Sequence, residues 1–403
     1  MNQESQHAET RQQNDSKTPF VIDEDDRYSR LKLIGWWDQQ KLATSHVLVV
    51  GAGALGNEVL KNLALVGIGQ ITLIDFDTIQ HSNLSRSVLF RAADANKPKA
   101  TVAAQAIREM NPDCRINEMV GDVMADVGLG MVRDCDVVIC CVDNREARLW
   151  INRMCWKVGT PWIDGGIQEI NGVAKVFMPP DGACYECAMT ERDYQLIQLR
   201  YSCPLLKLED MQQGKVPTAP TIASIIGGLQ TQEALKLIHG LPTDEGSAMV
   251  FNGVANQFYK TKYPYRDDCL SHEFYDPLIE VDLTSESTAQ ELFAAVEKIN
   301  GKSADVLELD RDFLIQLECS TCDIKKPIGR PRSSVDMKQA ICDKCSDVMT
   351  PDTLNEVRLG EEGERKLSEF GIPLYDIVKV HSNNNTVHVL LAGDRPADKN
   401  GRP

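Results

Sequence analysis

Two features that many proteins have are missing from this sequence of 403 residues. It has no apolar run of transmembrane length, and its first residues lack the apolar core of a signal peptide. Positive charge is also scarce, because 43 Lys and Arg stand against 59 Asp and Glu, a formal net charge of −16. We therefore expect a cytoplasmic protein with no membrane partner. Bulk electrostatics also argue against a nucleic-acid partner, although local basic patches stay compatible with this charge.

The cysteines do not fit a small secreted, disulfide-bonded domain. There are thirteen, an odd number, and several lie at CxxC spacing, which favours metal and thiol chemistry in a reducing compartment. The chain length allows two or three domains and a sizeable core. Residues 1–25 are rich in polar and acidic residues, and we predict a disordered leader there.

A glycine turn stands between a predicted strand and a predicted helix. The apolar run His46–Val50 leads into Gly-Ala-Gly-Ala-Leu-Gly, a G-x-G-x-x-G turn that opens a helical pattern through Ala64. Such a turn lets backbone N–H groups approach a phosphate at a helix N-terminus. A second strand, Ile71–Ile74, ends in Asp75, whose carboxylate can accept ribose hydroxyls. The turn residues predicted to line the phosphates are Gly51, Gly53, Ala54 and Gly56.

The residues after Asp75 favour a nucleoside triphosphate over a dinucleotide. Arg86 closes the run Asp75–Arg86, and Lys99 opens another helical pattern. A triphosphate that is about to lose pyrophosphate needs such point charges on its oxygens, whereas a dinucleotide's pyrophosphate is held largely by backbone. Taken singly, each cation would more often be a solvated surface charge, but their combination with the glycine turn, Asp75 and Asn83 favours binding of the triphosphate.

Several motifs together carry a family resemblance: Arg27-Tyr-Ser-Arg30, the glycine turn, Asp75-Phe-Asp77, Asn83-Leu-Ser-Arg86, Lys99 and Cys141-Val-Asp-Asn144. In this combination the chain resembles the ubiquitin-activating-enzyme superfamily, which includes the sulfur-carrier adenylyltransferases of molybdopterin and thiamine synthesis. The resemblance implies an α/β, Rossmann-like adenylation domain with a mostly parallel sheet over residues 26–275. It also implies a homodimer in which Arg30 reaches the triphosphate of the neighbouring subunit. The ATP-binding set would be the turn residues with Asp75, Asp77, Asn83, Arg86, Lys99 and Asp143.

Asp143 is the predicted magnesium ligand. The buried strand Val137–Val142 ends in this residue, and ligands of open α/β sheets bind at the carboxyl ends of the strands. Magnesium favours carboxylate oxygen. Cys140 and Cys141 lie within the strand and are interpreted as core packing.

A first zinc site is predicted from two separated pairs of ligands. Cys184 and Cys187 form a CxxC pair, and Cys269 with His272 has the same spacing, so a closed tetrahedral site is possible. Members of the family usually have CxxC in the second half, and His272 departs from that pattern. The alternative is a set of unligated surface thiols.

The candidate catalytic cysteine is Cys203. It falls in residues 188–216, predicted as a long irregular loop before a helix at Thr221–Ile238 that ends at Gly240. The resemblance implies that this cysteine accepts the activated modifier as a thioester, although Pro204 and Ser87 depart from the usual motifs. The alternative is an inert or protective thiol, because sulfur-carrier adenylyltransferases also keep a cysteine here.

Residues 276–403 are predicted to form a small α+β domain with a zinc ribbon. Its elements are strands at 279–283, 306–309, 313–317, 371–378 and 386–391 and a helix at 289–299. Two CxxC pairs separated by nineteen residues are typical of a structural zinc site. Its ligands would be Cys319, Cys322, Cys342 and Cys345. The basic stretch 325–332 is interpreted as a solvated hairpin tip.

The favoured function is ATP- and magnesium-dependent adenylation of a ubiquitin-like protein's C-terminal glycine, followed by capture on Cys203. Arg86, Lys99 and Arg30 would neutralise the developing charge. By its position, the C-terminal domain would recruit a conjugating enzyme. The first alternative is a sulfur-carrier adenylyltransferase without an obligatory thioester. A pseudo-enzyme subunit and a NAD-linked enzyme are further alternatives.

Overall fold

A computed structural model of the chain describes residues 22–202, 217–332, 335, 337–382 and 385–396. The α-helices in this part of the chain are α1 Gln39–Thr44, α2 Ala54–Val66, α3 Lys99–Met110, α4 Val123–Asp126, α5 Leu129–Arg133, α6 Arg145–Val158, α7 Glu191–Ser202, α8 Pro220–His239 and α9 Ala289–Asn300. The strands of the first sheet are β1 His46–Val50, β2 Gln70–Ile74, β3 Arg115–Met119, β4 Val137–Cys140, β5 Trp162–Gln168, β6 Asn171–Phe177, β7 Ser247–Asn252 and β8 Gln257–Lys262. Those of the second are β9 Leu278–Val281, β10 Val306–Cys319, β11 Ile324–Pro331, β12 Thr350–Arg358, β13 Ile377–Ser382 and β14 Asn385–Leu391.

The first sheet has the strand order β3-β2-β1-β4-β5-β6-β7-β8. Strands β1 to β5 are parallel, and β6 to β8 continue antiparallel to one edge. Helices α2, α3 and α8 cover one face, and α4, α5 and α6 cover the other. Because both faces are covered, β1 and β4 are continuous apolar runs without polar alternation. The predicted α/β class with a mostly parallel sheet is confirmed.

The predicted helix at 221–238 is present as α8. Pro220 stands in its first turn, where no N–H partner is needed, and Gly240 ends it in the left-handed conformation. Within this described part of the chain, no helix combines the length and the apolarity that a membrane span requires.

The prediction of an irregular loop throughout residues 188–216 is wrong for its first half, since Glu191–Ser202 forms helix α7. Thr190 precedes the helix, and its backbone N–H and hydroxyl both donate to the carboxylate of Asp193 at 2.9 and 2.7 Å. This Thr-x-x-Asp pairing resembles a capping box and favours a helix start. The sequence of the helix is mostly polar, which is why its periodicity is weak.

The second sheet has the order β11-β10-β13-β14-β9, with β12 also paired to β10. Two predicted strands, at 306–309 and 313–317, form the single strand β10, whose pairing with β12 shifts register between Glu308 and Phe313. The strand predicted at 371–378 begins only at Ile377, because Gly371 and Tyr375 have φ values of +77° and +56°. The basic stretch predicted as a hairpin tip is the edge strand β11.

The second sheet packs against the α4–α6 face of the first. Tyr375 and Leu390 belong to the same apolar core as these helices. The backbones approach closely here, because a Cβ at Gly130 would lie 2.6 Å from the carbonyl oxygen of Tyr375. The guanidinium of Arg311 donates to the carbonyl oxygens of Met124 and Val127 at 2.6 and 3.0 Å. These contacts join the two sheets into one packed unit.

Candidate functional site

The glycine turn connects β1 to α2 and can accept only glycine at two positions. Gly51 has φ +97°, and a Cβ there would lie 2.9 Å from the carbonyl oxygen of Cys141. A Cβ at Gly56 would lie 1.9 Å from the carbonyl oxygen of Gly51. Gly53 caps the N-terminus of α2, and no atom lies within 4 Å of its hypothetical Cβ. The turn therefore packs tightly against β4 and is open at the helix N-terminus, where an anion can approach.

Asp75 links this turn to the segment that follows β2. Its carboxylate accepts from the backbone N–H of Ala52 at 2.6 Å and from that of Asp77 at 2.8 Å. Burial raises the pKa of Asp75, and the nearby Lys99 offsets part of this effect. Since a carboxylate has about four acceptor positions, these two bonds do not exhaust the capacity of Asp75 to accept hydrogen bonds.

The predicted cations lie after β2, at the same edge of the sheet. Lys99 is the first residue of α3, is 9% exposed, and pairs with Asp77 at 2.6 Å. Arg86 is half-buried and donates to the carbonyl oxygen of Ser82 at 2.9 Å. Asn83 accepts from the backbone N–H of Gln80 and so closes the short turn before Arg86.

Asp143 is exposed in a loop where Cys140, Val142 and Asn144 are hydrogen-bonded to other residues. The carbonyl oxygen of Cys140 accepts from the Gln230 amide at 2.8 Å, and that of Val142 accepts from Arg148 at 2.9 Å. Asn144 then caps α6 by accepting from the backbone N–H of Ala147. Strands β2, β1 and β4 are adjacent and parallel, so Asp75, the glycine turn and Asp143 share one edge of the sheet.

Behind this loop lies a buried charge cluster that the sequence patterns do not indicate. Asp164 is fully buried, and its two oxygens lie 2.9 Å from Arg148 Nε and 2.8 Å from Lys175 Nζ. Arg148 also donates to the carbonyl oxygen of Gly165. Burial alone raises the pKa of Asp164, but the two cations outweigh it and lower the pKa overall. The only sequence feature that could have indicated this cluster is the position of Arg148, five residues after Asp143. That feature is weak, because a lone Arg on an amphipathic helix is usually a surface residue.

The first predicted metal site is assembled. The potential ligand atoms of Cys184, Cys187, Cys269 and His272 all lie within 4.8 Å of one another. Sγ–Sγ distances are 3.5 and 3.7 Å, and Cys187 Sγ lies 3.4 Å from His272 Nε2. Tetrahedral zinc with ordinary bond lengths separates two sulfurs by about 3.8 Å and a sulfur and nitrogen by about 3.6 Å. The donor set therefore fits zinc, with His272 as the fourth ligand.

The second predicted site is assembled as well. Cys319, Cys322, Cys342 and Cys345 also have their sulfurs within 4.8 Å of one another. Backbone N–H groups of Cys345 and Lys344 lower the pKa of the Cys342 thiol to about 7, which favours the thiolate that zinc requires. These donors fit a closed, structural zinc ribbon.

Two other predicted residues are placed differently. Arg30 is exposed just before the short turn Leu31–Leu33. Near it, Leu33, Ile34 and Trp36 are exposed apolar side chains. Cys203 and the rest of 203–216 lie outside the described residues, although α7 leads directly to them.

Comparisons with known proteins agree with this geometry. The ThiF family model matches residues 26–271. The sulfur carrier protein ThiS adenylyltransferase of Escherichia coli K12 is 31% identical over 236 residues, which are 58% of this chain and 88% of that protein. The SAMP-activating enzyme E1 of Haloferax volcanii is 32% identical over 259 residues, 60% of this chain and 87% of that protein.

A crystal structure of E. coli MccB has a similar fold, with a TM-score of 0.52 and 22% identity, over 64% of this chain and 74% of that one. At this identity the similarity concerns the fold alone. The chain therefore belongs to the ThiF family, within the ubiquitin-activating-enzyme superfamily, and is an ATP-dependent adenylyltransferase.

Proposed function

We propose that this enzyme activates a ubiquitin-like protein by adenylating its C-terminal glycine and then captures it as a thioester on Cys203. The observation that carries the adenylation half is the shared edge of the first sheet, where the open glycine turn, Asp75, Lys99 and the fixed loop of Asp143 meet. The relative named an E1 activating enzyme supports a ubiquitin-like substrate.

In the first step the substrate's C-terminal carboxylate attacks the α-phosphorus of ATP, and the bond to the β,γ-diphosphate breaks. Lys99 and Arg86 neutralise charge on the phosphate oxygens, and Asp75 accepts the ribose hydroxyls. Asp143 would hold magnesium, which supplies further positive charge at the triphosphate. The products are pyrophosphate and an acyl-adenylate.

In the second step the Cys203 thiolate attacks the acyl carbon, the bond to the phosphate oxygen breaks, and AMP leaves. The enzyme then carries the modifier as a thioester. A homodimer would complete the nucleotide site, with Arg30 acting across the interface. The exposed apolar side chains beside Arg30 support an interface on this surface.

The second candidate is a sulfur-carrier adenylyltransferase, in which a sulfur donor takes the adenylate and Cys203 is dispensable. The ThiS adenylyltransferase relative favours this candidate. It is 31% identical to the chain and the E1 relative is 32% identical, so sequence identity does not separate the two candidates. Recruitment of a conjugating enzyme by the second sheet belongs to the first candidate alone. Its support is the position of that sheet in the chain.

Asp143→Ala tests the adenylation step by ATP–pyrophosphate exchange, measured with ubiquitin-like proteins that end in glycine. We expect a loss of about 10²–10³-fold, as for removal of a group that stabilises transition-state charge. Asp113→Ala, at an exposed acid after α3, is the control and should exchange normally. Normal exchange by Asp143→Ala would contradict the proposed site.

Cys203 separates the two candidates. Cys203→Ala should keep pyrophosphate exchange and lose the modifier adduct seen on a non-reducing gel. Cys203→Ser should form an ester that resists thiol and is cleaved by base. If Cys203→Ala still passes the modifier to its acceptor at the parental rate, the thioester proposal fails and the sulfur-carrier function replaces it.

A further inference from the structure

One buried carboxylate connects the first metal site to helix α7. Glu186 lies between Cys184 and Cys187, and its side chain is fully buried. It accepts from Arg153 of α6 at 2.7 Å and from the Tyr194 hydroxyl of α7 at 2.8 Å. The third partner is Ser271, which stands between Cys269 and His272 and donates to the other oxygen of the same carboxylate. A single side chain thus contacts both halves of the metal site and two helices.

Helix α7 has few other fixed points among the described residues. Asp193 pairs with Arg145 at 3.2 Å, but the Arg145 side chain is 54% exposed, and such surface pairs contribute little. The Tyr194 hydroxyl, by contrast, bonds to a buried charged acceptor, which is the stronger class of hydrogen bond. The pairing of Thr190 with Asp193 is local to the start of the helix and does not join it to another element. Among the described side chains of α7, the hydrogen bond from Tyr194 to Glu186 is therefore the strongest polar contact with the rest of the fold.

Glu186 is itself held by the metal ligands. Cys187 follows Glu186 directly and Cys184 lies two residues before it, while His272 follows Ser271 directly and Cys269 lies two residues before it. A bound zinc ion would fix the positions of both chain segments, whereas four unligated donors would leave them free to separate. The orientation of the carboxylate, and through it that of Tyr194, would then follow the occupancy of the site.

We propose that Glu186 is a positioning residue that couples the zinc site to helix α7 and so supports acyl transfer at the end of that helix without taking part in adenylation. The expected effect on acyl transfer rests on the proposed thioester function. The expected effect on the mobility of α7 does not depend on that function. The edge of the first sheet that carries the glycine turn, Asp75 and Asp143 is held by other contacts, such as those from Gln230 and Arg148 to the Asp143 loop. Adenylation should therefore not depend on Tyr194.

The test uses the full-length chain and the variant Tyr194→Phe, which removes only the hydroxyl. Tyr265→Phe is the matched control, because that ring also lies beside the metal site, stacked on His272 at 4.9 Å, and does not belong to α7. We expect deuterium uptake in residues 191–202 to accelerate roughly tenfold in Tyr194→Phe, with unchanged zinc content and unchanged uptake in α8. Removing zinc with a chelator should accelerate the same segment in the parental protein and add little in Tyr194→Phe, because both changes break one connection.

Two results would overturn the proposal. One is parental uptake in residues 191–202 of Tyr194→Phe, and the other is an equal effect of zinc removal in both proteins. In activity assays of Tyr194→Phe, thioester formation should fall several-fold while pyrophosphate exchange stays at the parental rate. A proportional fall of both activities would also overturn the proposal. If the parental enzyme forms no thioester, the proposed function fails, and the uptake measurements still decide whether Glu186 couples zinc to α7.

Discussion

Replacing Asp164 by Asn should destabilise the first sheet by about 3–5 kcal/mol, the cost of stranding charge that had a buried partner. The side chains of Arg148 and Lys175 are only 16% and 12% exposed, and Asp164 is the buried anion that both of them contact. The variant keeps the size of the side chain and leaves two cations facing a neutral amide. A whole domain is stable by about 5–15 kcal/mol, so the loss should be large in any denaturation experiment.

The assay is urea unfolding followed by tryptophan fluorescence. All five tryptophans lie between residues 36 and 162, so the signal follows the first sheet. Asp244→Asn is the control, because Asp244 forms its ion pair with Lys260 on the exposed edge strand β8, and its urea midpoint should stay parental. A second variant, Asp164→Asn with Lys175→Met, should recover part of the loss since one stranded cation is gone.

The pH dependence gives an independent check. The pKa of Asp164 is lowered in the folded state, so its charge contributes stability above the unfolded pKa of about 3.9. That contribution is lost as pH falls through the folded pKa. The difference between the parental protein and Asp164→Asn should therefore be full at pH 7 and shrink below about pH 4. If the variant unfolds at the parental midpoint at pH 7, the cluster does not stabilise the sheet.

Three further predictions concern the nucleotide loop, the ribbon and the dimer. Arg148→Lys should raise the magnesium concentration for half-maximal pyrophosphate exchange several-fold, because an ammonium cannot reproduce the fork that holds the carbonyl oxygen of Val142; a parental magnesium curve would refute this. Cys342→Ser should release zinc, measured by metal analysis, and make the ribbon susceptible to protease, since a structural zinc site contributes on the order of 10 kcal/mol to local folding. Mixing inactive Arg30→Ala with inactive Asp143→Ala should restore part of the exchange activity, and demonstrated heterodimers without activity would show that Arg30 does not act across subunits.

Much of the nucleotide edge could be predicted because its chemistry is local in sequence. A strand, a glycine turn and a helix follow one another within 21 residues from His46 to Val66, and each has its own pattern. The metal ligands were also predictable, since the CxxC spacing is typical of the turns that place two ligands on one zinc ion. The pairing of Cys184 with His272 needed a longer inference, and the structure brings the two pairs together.

The remaining features depend on tertiary contacts that no local pattern contains. Helix α7 is polar, and its start is fixed by Thr190 and by the hydrogen bond from Tyr194 to Glu186, a residue of the metal site. The pairing of strand β10 with β12 shifts register between Glu308 and Phe313. The alternation of apolar and polar residues breaks there, so the sequence alone predicts two strands. From the sequence, Arg148 is an ordinary cation on a helix. Its partner Asp164 lies in β5 and comes beside it only through the pairing of β4 with β5.

Helix α6 contacts several of these separate features. Its first turn follows Asp143, and one turn later Arg148 holds the loop of that residue. Its last turns carry Arg153, which binds Glu186 of the metal site, and Lys157, which pairs with Asp310 of the second sheet at 2.7 Å. One rigid helix of fourteen residues therefore contacts the nucleotide edge, the metal site and the second sheet. The contacts of the nucleotide loop lie at the N-terminal end of α6, whereas Arg153 lies in its C-terminal half. Loss of the metal site should therefore disturb α7 without moving the nucleotide loop.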